Sequence, residues 1–375
     1  MDAVVVFVTA AAVTGIFTPI AKRLAGAVGA VSVPDDDRVH DRSMPTLGGL
    51  GILAGVVAAV GAAWRFGGYE AVFDAPTVPV GVLLAAGVAY VVGAIDDVRE
   101  ISAPAKTAGT VLAGTILNVA GISILLFRLP SVGLISLSPD WAALVTVLWV
   151  VGMCQAINLI DGLDGLAAGI VGIAALALYF FAAELSDLGQ LPTDNVAPLI
   201  ALATAGACAG FLPYNAHPAS VFMGDGGALL LGLLMATASI GVGGNSTADS
   251  SSQTFFFFAP LFIPLVILGV PIFDTAFAIV RRARNRAGVT ERDLGHLHHR
   301  LMKLGHGQRR SVAILWTWTA LLSGLVLYPV YTDSDDGALP IGIAALALVL
   351  FTILHPRARD ERRARKSATG THLRK

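Results

Sequence analysis

Apolar runs of membrane-crossing length dominate this sequence and limit what it can fold into. A helix needs about 17 to 25 largely apolar residues to cross a bilayer core, and roughly eleven such runs can be marked. They are 3–21, 47–64, 79–95, 104–121, 139–157, 165–183, 195–211, 226–243, 254–280, 311–331 and 339–355. Backbone N–H and C=O groups find no water at that depth and must pair within each segment, which helices achieve. The expected fold is an all-α polytopic membrane protein. Composition agrees: 55% of the 375 residues are hydrophobic and 14% charged, against about 25% charged in a soluble domain. One integral membrane domain over 1–355 is expected, with a basic cytoplasmic tail lacking fixed structure over 356–375. Residues 122–138 are apolar but broken by Pro130 and Gly133, and read as a short surface hairpin. Pro260, Pro264 and Pro271 predict a kinked or interrupted ninth helix. No basic segment precedes the first run, so a cleaved signal peptide is not expected. Cys154 and Cys208 both lie in apolar runs and suggest neither disulfides nor a zinc site.

Charge orients the chain. Loops 22–46, 96–103, 158–164, 212–225 and 281–310, with Lys106 and the tail from 356, fall on one face. They hold 23 of the 25 Lys and Arg residues, leaving only Arg65 and Arg128 for the other face. The positive-inside rule puts the basic face in the cytoplasm, the N-terminus outside and the C-terminus inside. Every dense polar motif lands on that same face. These are Asp35–Arg42 followed by Pro45-Thr-Leu-Gly-Gly49, Asp96-Asp97 with Lys106, Gln155–Ala168, Asn215–Asp225 and His296–Arg300. Ionisable groups near membrane depth are costly and mark function, so their gathering on one face points to one site.

Asn158, Asp161 and Asp164 fall at i, i+3 and i+6, one broad face if the segment is helical. Gly162 and Gly165 would let backbone approach a ligand there; a polar interhelical loop is the plain alternative. The adjacent carboxylates Asp96 and Asp97 repel each other unless a cation is near. Oxygen ligands without thiolates suit Mg²⁺, whereas a water-facing helix end would use Arg99 and Lys106 as counter-ions. Asp225 stands among Gly224, Gly226 and Gly227, where backbone has room for a phosphate. Phe222 offers its ring either to a base or to ordinary packing. His296, His298 and His299 sit among Arg292, Arg300 and Lys303, which favours anion recognition over metal capture; a hydrated loop is the alternative. Asp274 shares a face with Arg281, seven residues on, and reads as a structural ion pair. No Walker loop or dinucleotide fingerprint is present. Carboxylates and cations at a lipid surface suit phosphoryl chemistry between a soluble nucleotide compound and a lipid phosphate.

Asp96-Asp97, Asn158-Leu-Ile-Asp-Gly-Leu-Asp-Gly-Leu166, Pro218-Ala-Ser-Val-Phe-Met-Gly-Asp225 and Gly295-His-Leu-His-His-Arg-Leu301 occur in this order. Together they resemble the polyprenyl-phosphate N-acetylhexosamine-1-phosphate transferases of glycosyltransferase family 4. That family includes the muramoyl-pentapeptide transferases and the WecA/TagO-type GlcNAc-1-phosphate transferases. The resemblance spans residues 34 to 310. It implies transfer of a HexNAc-1-phosphate from a UDP-sugar to undecaprenyl phosphate, with release of UMP, in a prokaryotic plasma membrane. Mg²⁺ is the implied cofactor, with Mn²⁺ as a substitute. By the same resemblance Asn158 and Asp225 are the metal pair, and Asp96 and Asp97 act on the lipid phosphate or through metal-bound water. Asp164, Asn215 and Phe222 line the nucleotide pocket with Asp161 beside it. Lys106, His296, His298 and His299 contact phosphates, and Arg42 and Arg300 belong to the substrate-binding set. Two positions depart from the pattern: Gln155 stands where Asn is usual, and Gly227 replaces a common Ser. The short His-Leu-His-His-Arg-Leu form, the eleventh helix and the tail favour UDP-GlcNAc over UDP-MurNAc-pentapeptide.

Two other classes are weaker. CDP-alcohol phosphotransferases need an Ala-Arg after their first Asp-Gly, and Leu163–Ala168 has no Arg. A transporter would place ionisable groups near the bilayer midplane rather than at one surface. No nucleic-acid partner is expected, and a homodimer is one assembly compatible with such a chain.

Overall fold

The computed structural model describes residues 2–32, 43–129, 133–243, 266, 268–285, 297–332, 337 and 339–354, without the side chains at 126–135, 278, 279, 281–285, 298, 299 and 303. The helices in chain order are α1 (Asp2–Val28), α2 (Gly49–Phe66), α3 (Glu70–Asp74), α4 (Thr77–Arg99), α5 (Ala103–Val119), α6 (Pro139–Ile160) and α7 (Leu166–Asp187). They continue with α8 (Ala197–Asn215), α9 (Gly224–Gly243), α10 (Gly269–Asn285), α11 (Leu297–Lys303), α12 (Gln308–Thr332) and α13 (Leu339–Leu354). Every expected run meets a helix. Among the described residues eight of them, α1, α2, α4, α6, α7, α8, α9 and α12, are long and apolar enough to cross a membrane. Helices α5 and α10 have 17 residues each, and α13 is a shorter apolar helix. Residues 254–265 of the ninth run, with Pro260 and Pro264, lie outside the described residues; Pro271 falls in the first turn of α10, where a missing N–H breaks no helical bond.

The expected surface hairpin is present as β3 (Leu126–Leu129) paired antiparallel with β4 (Gly133–Ser136). A smaller hairpin, β1 (Val31–Ser32) with β2 (Met44–Pro45), joins α1 to α2.

Helix α9 is the axis of the bundle. All its residues from Gly226 to Gly243 are buried, and it packs against α2, α4, α5, α6, α7 and α8. Lipid tails are as apolar as leucine, so close packing rather than hydrophobic burial holds such helices together, and small residues permit it. A methyl group at Gly93 of α4 would overlap the backbone of Asp225 and Gly226, and one at Gly49 would overlap Gly227. On the far side of α9 one at Gly232 would sit 2.5 Å from the Cα of Cys154 in α6. Helix α1 uses the same device, lying against Gly51 and Gly55 of α2 and Gly206 and Gly210 of α8.

This corrects the sequence reading of the glycines around Asp225. A Cβ at Gly226 would meet the Tyr90 carbonyl at 3.0 Å, and one at Gly227 the Cα of Gly49 at 3.0 Å. The room beside Asp225 is taken by neighbouring helices, not kept for a phosphate. It also explains why a serine would not fit at 227.

Backbone bonds fix the ends of these helices to one another. Phe222 N–H donates to the Pro45 carbonyl at 2.9 Å, and Gly48 and Gly49 donate to the carbonyls of Phe222 and Met223 at 2.9 and 3.0 Å. The segment before α9 is therefore held by backbone bonds against the segment before α2.

Gly93→Ala is expected to lower the thermal midpoint of the detergent-purified protein by the equivalent of about 1–3 kcal/mol of overpacking. Gly87→Ala, in the same helix with open space around it, should leave the midpoint unchanged or raise it. A fluorescence melt of both variants checks the contrast, and equal midpoints would contradict it.

Candidate active site

The first N–H groups of a helix lack intrahelical partners and carry partial positive charge. In α9 those groups meet the carboxylate of Asp97, which comes from the last turn of α4. Asp225 N–H donates to Oδ1 of Asp97 at 3.0 Å and Gly226 N–H to Oδ2 at 3.2 Å. Both oxygens of Asp97 are thereby engaged, and the Asp225 side chain is held at the helix tip.

The adjacent Asp96 turns the other way. Its Oδ1 accepts the Ile101 N–H at 2.7 Å, closing the turn between α4 and α5, and its Oδ2 accepts from Lys106 Nζ at 2.9 Å. The same ammonium donates to Oδ2 of Asp225. Lys106 thus bridges two carboxylates from different helices. Its side chain is 12% exposed and that of Asp96 16%, whereas Asp225 keeps 35% and is the most open of the three.

Asp161 approaches from the end of α6. Burial, then the charges of Asp225, Asp97 and Asp164, push its carboxyl up to about 8. One ammonium does not balance this many carboxylates, so the centre calls for additional positive charge. Among the described residues no three His, Cys, Asp or Glu side chains stand close enough to enclose a metal by themselves. Oxygen donors in that number fit a cation such as Mg²⁺, which takes one or two carboxylates and completes its shell with water and phosphate oxygens. Asn158, partly exposed in the last turn of α6 three residues before Asp161, could contribute an amide oxygen to such a cation.

The loop after α6 departs from the sequence expectation. Helix α6 ends at Ile160, so Asn158, Asp161 and Asp164 do not share a helical face. Gly165 ends the turn with φ +76°, a left-handed conformation that a glycine adopts without strain. Its N–H donates to the side-chain oxygen of Asn215 at 3.1 Å, and the Asn215 amide reaches the Val221 carbonyl at 3.1 Å. Asp164 is buried, with Oδ2 accepting from Ala219 N–H at 3.1 Å and lying 2.7 Å from His217 Nδ1. Asn215 and Asp164, expected in a nucleotide pocket, thus bracket the loop before α7 to the loop before α9. Phe222, in that second loop, is half-buried.

Most of the remaining expected groups fall outside the description. Arg42 and His296 lie outside the described residues. His298 and His299 lie on α11, with side chains outside the description, and Arg300 on the same helix is exposed. Asp274 was expected to pair with Arg281, whose side chain is also outside the description. Asp274 Oδ1 accepts the Leu297 N–H at 2.8 Å and caps α11. His217 was not singled out from the sequence, although it sits inside a quoted motif, and its carboxylate partner 53 positions away gives no local signal.

Comparisons with known proteins follow this geometry. Residues 79–243, which include every described carboxylate of the cluster, match the model for Glycosyl transferase family 4. The decaprenyl-phosphate N-acetylglucosaminephosphotransferase of Mycolicibacterium smegmatis is 34% identical over 351 residues, 92% of this chain and 86% of that one. The probable undecaprenyl-phosphate N-acetylglucosaminyl 1-phosphate transferase of Bacillus subtilis is 37% identical over 316 residues, 84% of this chain and 81% of that one. A phospho-N-acetylmuramoyl-pentapeptide-transferase of Desulforudis audaxviator is 33% identical over 305 residues, 76% of this chain and 83% of that one. With relatives this similar along most of its length, the chain belongs to glycosyltransferase family 4, the family of these polyprenyl-phosphate N-acetylglucosamine phosphotransferases.

Proposed function

We propose that this protein transfers N-acetylglucosamine-1-phosphate from UDP-GlcNAc to undecaprenyl phosphate at the cytoplasmic face of a prokaryotic plasma membrane. A phosphate oxygen of the lipid attacks the sugar-bearing phosphorus, and the bond from that phosphorus to the bridging oxygen breaks. UMP leaves with the bridging oxygen. The observation that carries this reading is the convergence of Asp96, Asp97, Asp161 and Asp225 with Lys106 where α4, α5, α6 and α9 end. Membership of the family supports the acceptor class, and the placement of 23 of 25 basic residues on one face supports an eleven-helix, N-outside arrangement with the site inside. UDP-GlcNAc is preferred to UDP-MurNAc-pentapeptide because the relatives named for GlcNAc match a larger share of the chain.

In this reading Asp225 and Asn158 hold Mg²⁺, which when bound would supply positive charge to the diphosphate. Asp97 fixes the tip of α9, so Asp225 presents its carboxylate in one place. Lys106 carries the mobile positive charge of the centre and can pass from Asp225 to an arriving phosphate. Asp96 holds the Lys106 stem in range. Because the groups position charge rather than form covalent bonds, most of the rate would come from orientation and electrostatics.

Purified protein given UDP-GlcNAc, undecaprenyl phosphate and Mg²⁺ is expected to release UMP, to stop on EDTA and to resume when Mg²⁺ is restored. Asp225→Ala should lower the rate at least ~100-fold; absence of UMP, or a variant as active as wild type, would remove the reading. Substituting UDP-GalNAc and UDP-MurNAc-pentapeptide in the same assay tests the donor.

A second expectation concerns stability without metal. An Asp161 carboxyl near 8 in the folded chain, against about 3.9 when unfolded, makes the folded state bind more protons. Stability should then fall as pH rises from about 4 to about 8 and level off above. In EDTA, Asp161→Asn should gain thermal midpoint relative to wild type between pH 5 and pH 9. A constant difference across that range would place Asp161 outside the acidic centre.

A further inference from the structure

Asp164 and His217 form a pair that the transfer chemistry above does not use. The Asp164 side chain is 3% exposed and that of His217 36%. A carboxylate oxygen only accepts, so the 2.7 Å contact places the proton of His217 on Nδ1. In the neutral ring this leaves Nε2, on the opposite side of the imidazole, with a lone pair. The Ala219 N–H donates to the same Asp164 oxygen at 3.1 Å and fixes the carboxylate, while Asn215 ties the flanking backbone to Gly165 and Val221. The ring is therefore set in both orientation and tautomer by a buried group, with its outer edge exposed. Burying a carboxylate is costly unless it is hydrogen-bonded, and using it to hold a half-exposed histidine is a poor device for stability alone. It is a good device for presenting one hydrogen-bond acceptor. The same loop carries the half-buried ring of Phe222, and Asp161, three residues before Asp164, belongs to the carboxylate centre.

We infer that His217 reads the nucleobase of the donor, its Nε2 accepting the imide N3–H of uracil, and that Asp164 is the positioning residue that holds it there. Of the groups on a uridine diphosphate sugar, the imide is a fixed, planar N–H donor. A site built around one such bond discriminates against a ligand that cannot make it, because the bound base then covers the acceptor and leaves it unpaired. The inference rests on the proposed uridine donor and assigns the recognition of its base to a residue outside the metal and phosphate cluster.

Isothermal titration of purified protein with UMP and with N3-methyl-UMP, in the presence of Mg²⁺, tests it. Wild type is expected to bind UMP and to bind the methylated analogue at least tenfold more weakly. His217→Phe should bind UMP about tenfold more weakly than wild type and no longer distinguish the two. His217→Gln, which keeps an acceptor of similar reach, should retain part of the discrimination. In turnover, His217→Phe should raise KM for the donor with kcat little changed, the mark of binding shared by ground and transition states. Asp164→Asn should shift both measures the same way by less. Equal binding of the two nucleotides by wild type, or undiminished discrimination by His217→Phe, would overturn the inference while leaving the transfer reaction standing. Failure of wild type to bind UMP at all would overturn the uridine donor and the inference with it.

Discussion

The bond between the Asp97 carboxylate and the first N–H groups of α9 is the constraint from which the rest of the polar centre follows. It links helices whose contributing residues lie 128 positions apart, and it does so where α4 and α9 are in backbone contact at Gly93. Such proximity is available only because Gly93 and Gly226 have no side chains to separate the helices. Once α9 is capped from outside, Asp225 has a fixed origin, and Lys106 can bridge it to Asp96 on the neighbouring turn. Membrane packing and active-centre geometry are consequently one problem here. The small residues that let helices associate in lipid also bring the acidic ends of α4 and α9 to within reach of one ammonium.

The outline of this arrangement was legible in the sequence because its determinants are local or statistical. Span positions follow from runs of apolar residues, and the hairpin at β3 and β4 follows from Pro130 and Gly133. Gathering of the motifs on one face follows from counting Lys and Arg. What stayed hidden depends on pairs distant in the chain. Nothing near Asp97 says that its oxygens meet the N–H groups of Asp225 and Gly226. The spacing of Asn158, Asp161 and Asp164 suggested a helical face, but Gly165 in a left-handed conformation ends that possibility and turns Asp164 inward. In each case the residue type was informative and the partner was not.

The two brackets in the site divide its work. Asp97, Asp96 and Lys106 set the charges that a diphosphate would meet, and Asp164 with Asn215 ties the adjoining loops into one surface. Both brackets use carboxylates that accept backbone N–H groups, so the acidic residues of this family pattern serve as scaffold. The polar ends are thereby tied to one another before any substrate arrives, as catalysis by positioning requires.

The most direct test is the response of Asp97→Asn, which keeps the shape of the side chain and removes one of its two acceptors. If Asp97 acts by holding the tip of α9, three quantities should move together. Mn²⁺ affinity, read by electron paramagnetic resonance without nucleotide, should fall about 10–100-fold. Turnover should fall on the same scale, and the thermal midpoint should drop. Lost turnover with unchanged Mn²⁺ affinity and an unchanged midpoint would contradict this, and would make Asp97 a group that acts on the substrate itself.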